Sequence, residues 1–406
     1  MHGYQGNAKW LAYIAPFRAL SISAAYLTPF FLQKGLSLSE VFALQSIFSV
    51  AVVLLEVPSG WFADRFGRAF AIKLSAPIAG AAMVAYGFSE SFWWFAAFEV
   101  LLAVANSLYS GADTTLIYDS LRADGHNGEE LKLRYEHQVR RMNACGFWAT
   151  GLGVPLAIAL VYFQGLSATL VVDGLLTFVG GYFAYKLVEA PHIPEPDEPD
   201  EEEARKSAWH AICQLGRNVE ARWLVVLGSA LSTATYLGFW LSAPYYTELG
   251  IPVILFSAIL ALRSGWKGVI SHPPGWLRRL CVRYYHRQFS LHTKMVSYAL
   301  LAAAVYLAMA TGQLWLVWMV LMHDVVQALH AQPLTAQLNS YFHQAHRATL
   351  NSLANLVQRL VFAAAGPLVG LLTDKAGLAT GLVVTGVASS SIALLAIARL
   401  RHMRTF

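Results

Sequence analysis

The sequence predicts an all-α membrane protein of twelve transmembrane helices, arranged as two pseudo-symmetric six-helix halves. Three observations lead there. Only 13% of the 406 residues are charged while 56% are hydrophobic, about half the charged share of roughly 25% that a soluble domain carries. Apolar runs long enough to cross a bilayer, about 20 residues each, recur from one end of the chain to the other. One interruption of a different kind, "EAPHIPEPDEPDEEEARKSAWHAICQLGRNVEAR", divides those runs six and six.

The spans read in order as 10–33, 39–62, 70–89, 92–118, 141–163, 166–187, 222–246, 252–275, 290–311, 313–338, 348–371 and 378–399. The eighth, "IPVILFSAILALRSGWKGVISHPPGW", is the least regular because it holds Arg263 and Lys267. The first half of the interruption, acidic over 195–203, reads as extended and solvated. Its second half reads as an amphipathic helix on the membrane surface. The expected organisation is therefore a bundle over 1–187, a cytoplasmic linker over 188–221 and a second bundle over 222–406. "GLGVPLAIAL" (151–160) in span five and "AAGPLVGLL" (364–372) in span eleven fall at corresponding places of the halves, as a parallel repeat requires.

The net charge of +5 does not call for nucleic acid as a partner. Lys and Arg gather in alternate loops: "DRFGR", "LRADGHNGEELKLRYEHQVRR", the linker, "LRRLCVRYYHR", "HQAHR" and the tail "RLRHMR". The loops on the other side hold only Lys34 and Lys375. By the positive-inside rule both termini and the linker face the cytoplasm, and a bacterial inner membrane is the expected location. The opening "MHGYQGNAKW" has no cleavage pattern and leads into a retained first span.

Cys145, Cys213 and Cys281 lack disulfide-framework or zinc spacing, so no metal and no cofactor is expected. Nucleotide-binding, His-Glu-x-x-His and Gly-x-Ser-x-Gly patterns are all missing. The chain reads as no enzyme, and its energy must come from an ion or solute gradient.

"EVPSGWFADRFGRAFAIKLS" (56–75) concentrates charge between spans two and three. Gly60, Asp64, Gly67 and Arg68 spell Gly-x-x-x-Asp-x-x-Gly-Arg, and with the twelve-span division the chain resembles the major facilitator superfamily. At the following position, where the superfamily has another basic residue, stands Ala69. The resemblance covers the whole chain. It implies a latch between the halves, with Asp64 against the positive end of span eleven and Arg68 paired with an acid of span four, here Asp119. The plainer reading is a positive-inside loop with a helix-capping aspartate. "GLLTDKAG" (370–377) has the same spacing but falls on the outer side, and reads as a helix end and turn. Glu56 to Asp64, Glu-x-Pro-[Ser/Thr]-Gly-x-x-Ala-Asp, resembles a branch that includes tetracycline exporters.

Ionisable groups inside a span default to function. They are Arg18, Glu56, Asp113, Asp173, Arg263, Lys267, His323, Asp324 and Arg359; mutual ion pairing is the bland alternative. Glu56, Asp113 and Asp324 are the candidate proton carriers. Asp324 and Gln327 share a helix face at i,i+3, whereas His323 points about 100° away. Arg263 and Lys267 share a face at i,i+4 and repel unless a carboxylate or an anionic ligand sits between them. With Arg18 and Arg359 they form the candidate basic cavity. Asn106 and Tyr109 make a polar stripe with Asp113, and Tyr236 and Trp240 are candidate pocket aromatics.

The expected function is secondary active transport of a small organic solute by rocker-switch alternation, coupled to protons, with efflux of amphipathic compounds leading. An anionic solute, a carboxylate metabolite or siderophore, is the alternative. A non-transporting scaffold signalling through the acidic linker, or a lipid translocator, are further classes. The expected partners are the solute, protons and the lipid bilayer, with the chain working as a monomer.

Overall fold

The structure, a computed structural model, describes residues 3–191, 193, 209, 212–271, 275, 289–342 and 347–403. The acidic run 195–203, most of the basic loop after span eight and residues 343–346 lie outside the described residues. Contacts divide the chain into two compact units. The first comprises Met1–Leu36, Ile47–Glu198 and Ile254–Ala261; the second comprises Ser37–Ser46, Pro199–Val253 and Leu262–Phe406.

Among the described residues the fold is helical throughout. The helices are α1 (Asn7–Ala19), α2 (Leu27–Gln33), α3 (Leu38–Phe66), α4 (Arg68–Phe88), α5 (Phe92–Tyr109), α6 (Ala112–Ala123), α7 (Gly128–Gln164) and α8 (Leu166–Ala184). They continue as α9 (Val219–Glu248), α10 (Phe256–Ser271), α11 (Leu291–Ala310), α12 (Val320–Leu329), α13 (Ala331–Ser340), α14 (Arg347–Ala376) and α15 (Leu378–His402).

Eleven spans in this set are long and apolar enough to cross a membrane. Span one is the twelfth, and it is split into α1 and α2 with 20–26 outside regular helix. Neither piece alone reaches the length a bilayer requires. Span four also breaks, at Ser110–Gly111, where Gly111 takes φ 81°. Span five runs longer than its apolar core: α7 absorbs the basic stretch from Gly128 that the sequence assigned to a loop.

Between helices in a membrane, close backbone approach replaces the hydrophobic drive. In the first unit α4 and α8 pack on glycines: a Cβ on Gly174 would lie 2.7 Å from the Gly80 carbonyl oxygen. In the second unit a core of Leu224, Leu231, Tyr298, Val326, Leu350 and Ile397 ties α9, α11, α12, α14 and α15 together.

Candidate functional site

Backbone at membrane depth is tolerated only where its polar groups are satisfied or line a cavity. The break in span one meets both conditions. Asp173 of α8 accepts hydrogen bonds from the Ile22 and Ser23 backbone N–H groups, at 2.9 and 2.8 Å, and from the Ser23 hydroxyl at 2.5 Å. The Thr150 hydroxyl donates to the Ala19 carbonyl at 3.0 Å. On one side of the break opens a cavity of about 260 Å³, lined by Phe17, Arg18, Ser21, Phe48, Asn106 and Asp173 among others. Its remaining wall is mostly apolar, from Ala79, Met83 and Leu102.

Arg18 is the cation of this cavity. Its guanidinium lies 3.5 Å from the Tyr109 ring centroid, a cation–π contact, and it is in electrostatic range of Asp113. Asp113 sits in the first turn of α6, immediately past the Gly111 break, and accepts from the Thr114 N–H at 2.7 Å. The structure therefore brings Arg18, Asn106, Tyr109 and Asp113 together. It adds Asp173, whose sequence signal was its charge inside span six.

The second unit holds a separate polar centre. Arg263 of α10 bonds Asp324 of α12 twice, Nε to Oδ2 at 3.0 Å and Nη2 to Oδ1 at 3.2 Å, and donates to the Ser242 hydroxyl at 2.9 Å. All three residues are buried. One turn along, Lys267 donates to Gln327 Oε1 at 3.2 Å. The i,i+4 face of α10 thus docks on the i,i+3 face of α12, base to acceptor at both steps. The group that separates the two like charges is a carboxylate of the chain itself.

The family model for the Major Facilitator Superfamily matches residues 10–367. The chain belongs to the Major Facilitator Superfamily. None of the curated proteins compared with the chain matches it. Among solved structures it is similar to a bacterial homologue of the human lysosomal transporter Spinster, inward-facing and unoccupied, with TM-score 0.76 and 16% identity over 100% of this chain and 98% of that one. It is also similar to a mutant of the nucleoside transporter NupG, with TM-score 0.76 and 13% identity over 99% and 100%. A POT family transporter in complex with a thioalcohol-conjugated peptide gives 0.73 and 12% over 98% and 96%. At such identities these likenesses show the fold.

The superfamily motif lies on helix ends rather than in a loop. Gly60 and Asp64 belong to the last turns of α3; Gly67 alone joins α3 to α4, at φ 103°. Arg68 pairs with buried Asp119, and also reaches Asp64 at 3.3 Å. The span-eleven helix that the resemblance assigns to Asp64 begins at Arg347, in the second unit. A third acid joins from the start of the linker: Glu189 accepts the Arg68 and Ala69 backbone N–H groups, at 2.9 and 2.8 Å, capping α4. Its position past the end of span six gave no hint of this in sequence.

The remaining candidates are dispersed. Glu56 is exposed two residues before Pro58 of α3. His323 is buried, its ring edge-on to Tyr306 with centroids 4.6 Å apart. Tyr236 is exposed and meets the Phe362 ring at 5.9 Å; Trp240 packs on Phe239. Arg359 is half-buried on α14. Residues 370–377 are a helix end and turn, as expected, with one further role. Helix α14 does end at Ala376, with Gly377 at φ 85°, but Asp374 also caps another helix, accepting from Leu38 and Ser39 N–H at 3.0 and 2.9 Å.

Proposed function

We propose that the chain is a proton-coupled secondary transporter of small amphipathic organic solutes, working by alternating access across the bacterial inner membrane. The observation that carries this reading is the cavity beside the break in span one. A largely apolar wall with one cation, one buried aspartate and a few neutral polar groups suits a solute with a greasy body and a polar end. The bundles 1–187 and 222–406 are the rocking halves, with the linker 188–221 and both termini in the cytoplasm and export as the direction. The named cargoes of the similar structures, nucleosides and peptides, are also small organic solutes.

Coupling rests on carboxylates set against arginines. Asp113 lies in range of Arg18, and Asp324 is bonded to Arg263. A proton arriving at either acid removes the negative half of the pair and frees the guanidinium for the next contact. With Arg263 occupied by Asp324, the second unit offers less to an anionic solute than its sequence implied. Arg18 keeps that alternative alive, because it faces the cavity directly.

Proteoliposomes with an internal pH dye test the reading, with lipophilic cations and small carboxylates as separate panels. Proton counterflow driven by cations, and abolished by Asp324→Asn or Asp113→Asn, is the expected result. A response to carboxylates alone, lost in Arg18→Gln, replaces the cargo with an anion.

A further inference from the structure

Three donors from the interruption in span one converge on a single carboxylate. Asp173 Oδ1 takes the Ile22 N–H; Oδ2 takes both the Ser23 N–H and the Ser23 hydroxyl. A carboxylate accepts all three because it carries only lone pairs there. A carboxylic acid keeps these contacts only on weaker terms. Its own hydrogen must go to the Ser23 Oγ, which turns from donor to acceptor, and the uncharged oxygens hold the Ile22 and Ser23 N–H groups less strongly. The same side chain lines the cavity with Arg18 and Ser21, which precede the two residues it holds.

We infer that Asp173 is a positioning residue for transport: ionised, it holds the break in span one so that Arg18 and Ser21 wall the cavity, and uptake of one proton releases that wall. For its consequence in transport this rests on the proton-coupled reading above. The cavity delivers the proton, since Asp173 is among its lining residues. The groups around Asp173 leave few competitors. Arg18, from α1, is the one other charged side chain lining the cavity. Helix α4 presents Ala79 and Met83 there, and α5 presents Leu102, Ala105 and Asn106. Helix α7 contributes Thr150, bonded to the Ala19 carbonyl. Past the break, Tyr26 bonds Ser257 at 2.9 Å. Among the described residues the break is therefore held to α8 through one titratable group.

The test reads the wall itself, on the full chain in nanodiscs with its three cysteines replaced and Ser21→Cys introduced. The labelling rate of that thiol by a methanethiosulfonate is followed from pH 4 to pH 9. Dividing it by the rate in the Asp173→Asn background removes the thiol's own ionisation. The expected ratio changes at least threefold along a one-proton curve. Ser23→Ala, which removes a charge-assisted bond from the ionised form and only a neutral one from the acid, moves the midpoint to higher pH by about one unit, tenfold in proton affinity. The Ser23→Ala arm compares two chains with the same carboxylate and the same thiol, so it stands even where Asp173→Asn does not fold. A flat profile, or a midpoint indifferent to Ser23→Ala, overturns the inference. No solute gradient is applied, so this outcome is independent of whether the proteoliposome assay finds proton-coupled transport.

Discussion

Arg263 and Asp324 meet on two parallel bonds, and Ser242 takes a further guanidinium N–H. The pair is enclosed, with the two side chains 7% and 5% exposed, so each charge depends on the other for its solvation. Removing one partner strands the other, at about 3–5 kcal/mol; replacing both by apolar residues of similar volume is often neutral or better. Arg263→Met and Asp324→Leu are each expected to lower the melting temperature, and the double variant to recover most of the loss. Transport stays abolished in all three. Scanning thermal melts in detergent check the stability order, and a double variant no better than the singles contradicts it.

Gly67 is placed where a side chain meets two obstacles. Its φ of 103° is a conformation that costs L residues about 1–3 kcal/mol, and a Cβ there would lie 2.7 Å from Glu189 Oε2. Gly67→Ala therefore also displaces the cap of α4, worth about 1 kcal/mol more. Gly151, inside α7, has open space at its Cβ position. Gly151→Ala is expected to stabilise by about 0.5–1 kcal/mol. Melting the two variants side by side gives shifts of opposite sign; equal shifts remove the argument from local geometry.

His323 is the neighbour of Asp324 in the chain and is held differently. Both ring nitrogens lack a hydrogen-bond partner among the described residues, and the side chain is buried. A buried polar group without partners costs about 1–3 kcal/mol. His323→Leu is expected to melt no lower than the parent and to keep proton counterflow in the dye assay. Loss of coupling with an unchanged melt assigns His323 a proton instead.

What the sequence revealed and what it hid follow from range. The spans are legible because bilayer thickness acts on every run of about 20 residues alike, and hydropathy reads it locally. Pairing of Arg68 with Asp119 came through the family resemblance. The i,i+4 and i,i+3 faces of 263/267 and 324/327 were readable from helix geometry, and their docking left only the neutralising group open. The break at 20–26 was hidden, because small and apolar residues continue across it while backbone geometry changes; the one at 110–111 had only a Ser-Gly pair in a polar stretch to mark it. Hidden too were the carboxylates that satisfy freed N–H groups. Asp173 is about 150 positions from Ser23, and Glu189 is about 120 from Arg68. No periodicity links such partners.

Asp374 and Leu38 give the strongest case of that kind and a prediction of their own. Both oxygens of Asp374 cap the first turn of α3, on Leu38 and Ser39. This is the end of α3 opposite the Arg68 cluster, about 42 Å away along a helix of 29 residues. A carboxylate at a helix N-terminus satisfies orphan N–H groups and complements the dipole, for about 1 kcal/mol. Beside it, Gly370 allows the approach: a Cβ there would lie 2.6 Å from the Ser39 Cα and 2.8 Å from the Leu38 carbonyl oxygen. Those atoms are backbone and cannot swing aside, so Gly370→Ala must push α3 and α14 apart at this end, whereas Asp374→Ala only removes the cap. Val41, wholly buried one turn along α3, reports the difference. A Val41→Cys thiol is expected to react with a maleimide severalfold faster in the Gly370→Ala background and by less in the Asp374→Ala background. Equal protection in all three chains means that the glycine approach is not what seals this end of α3.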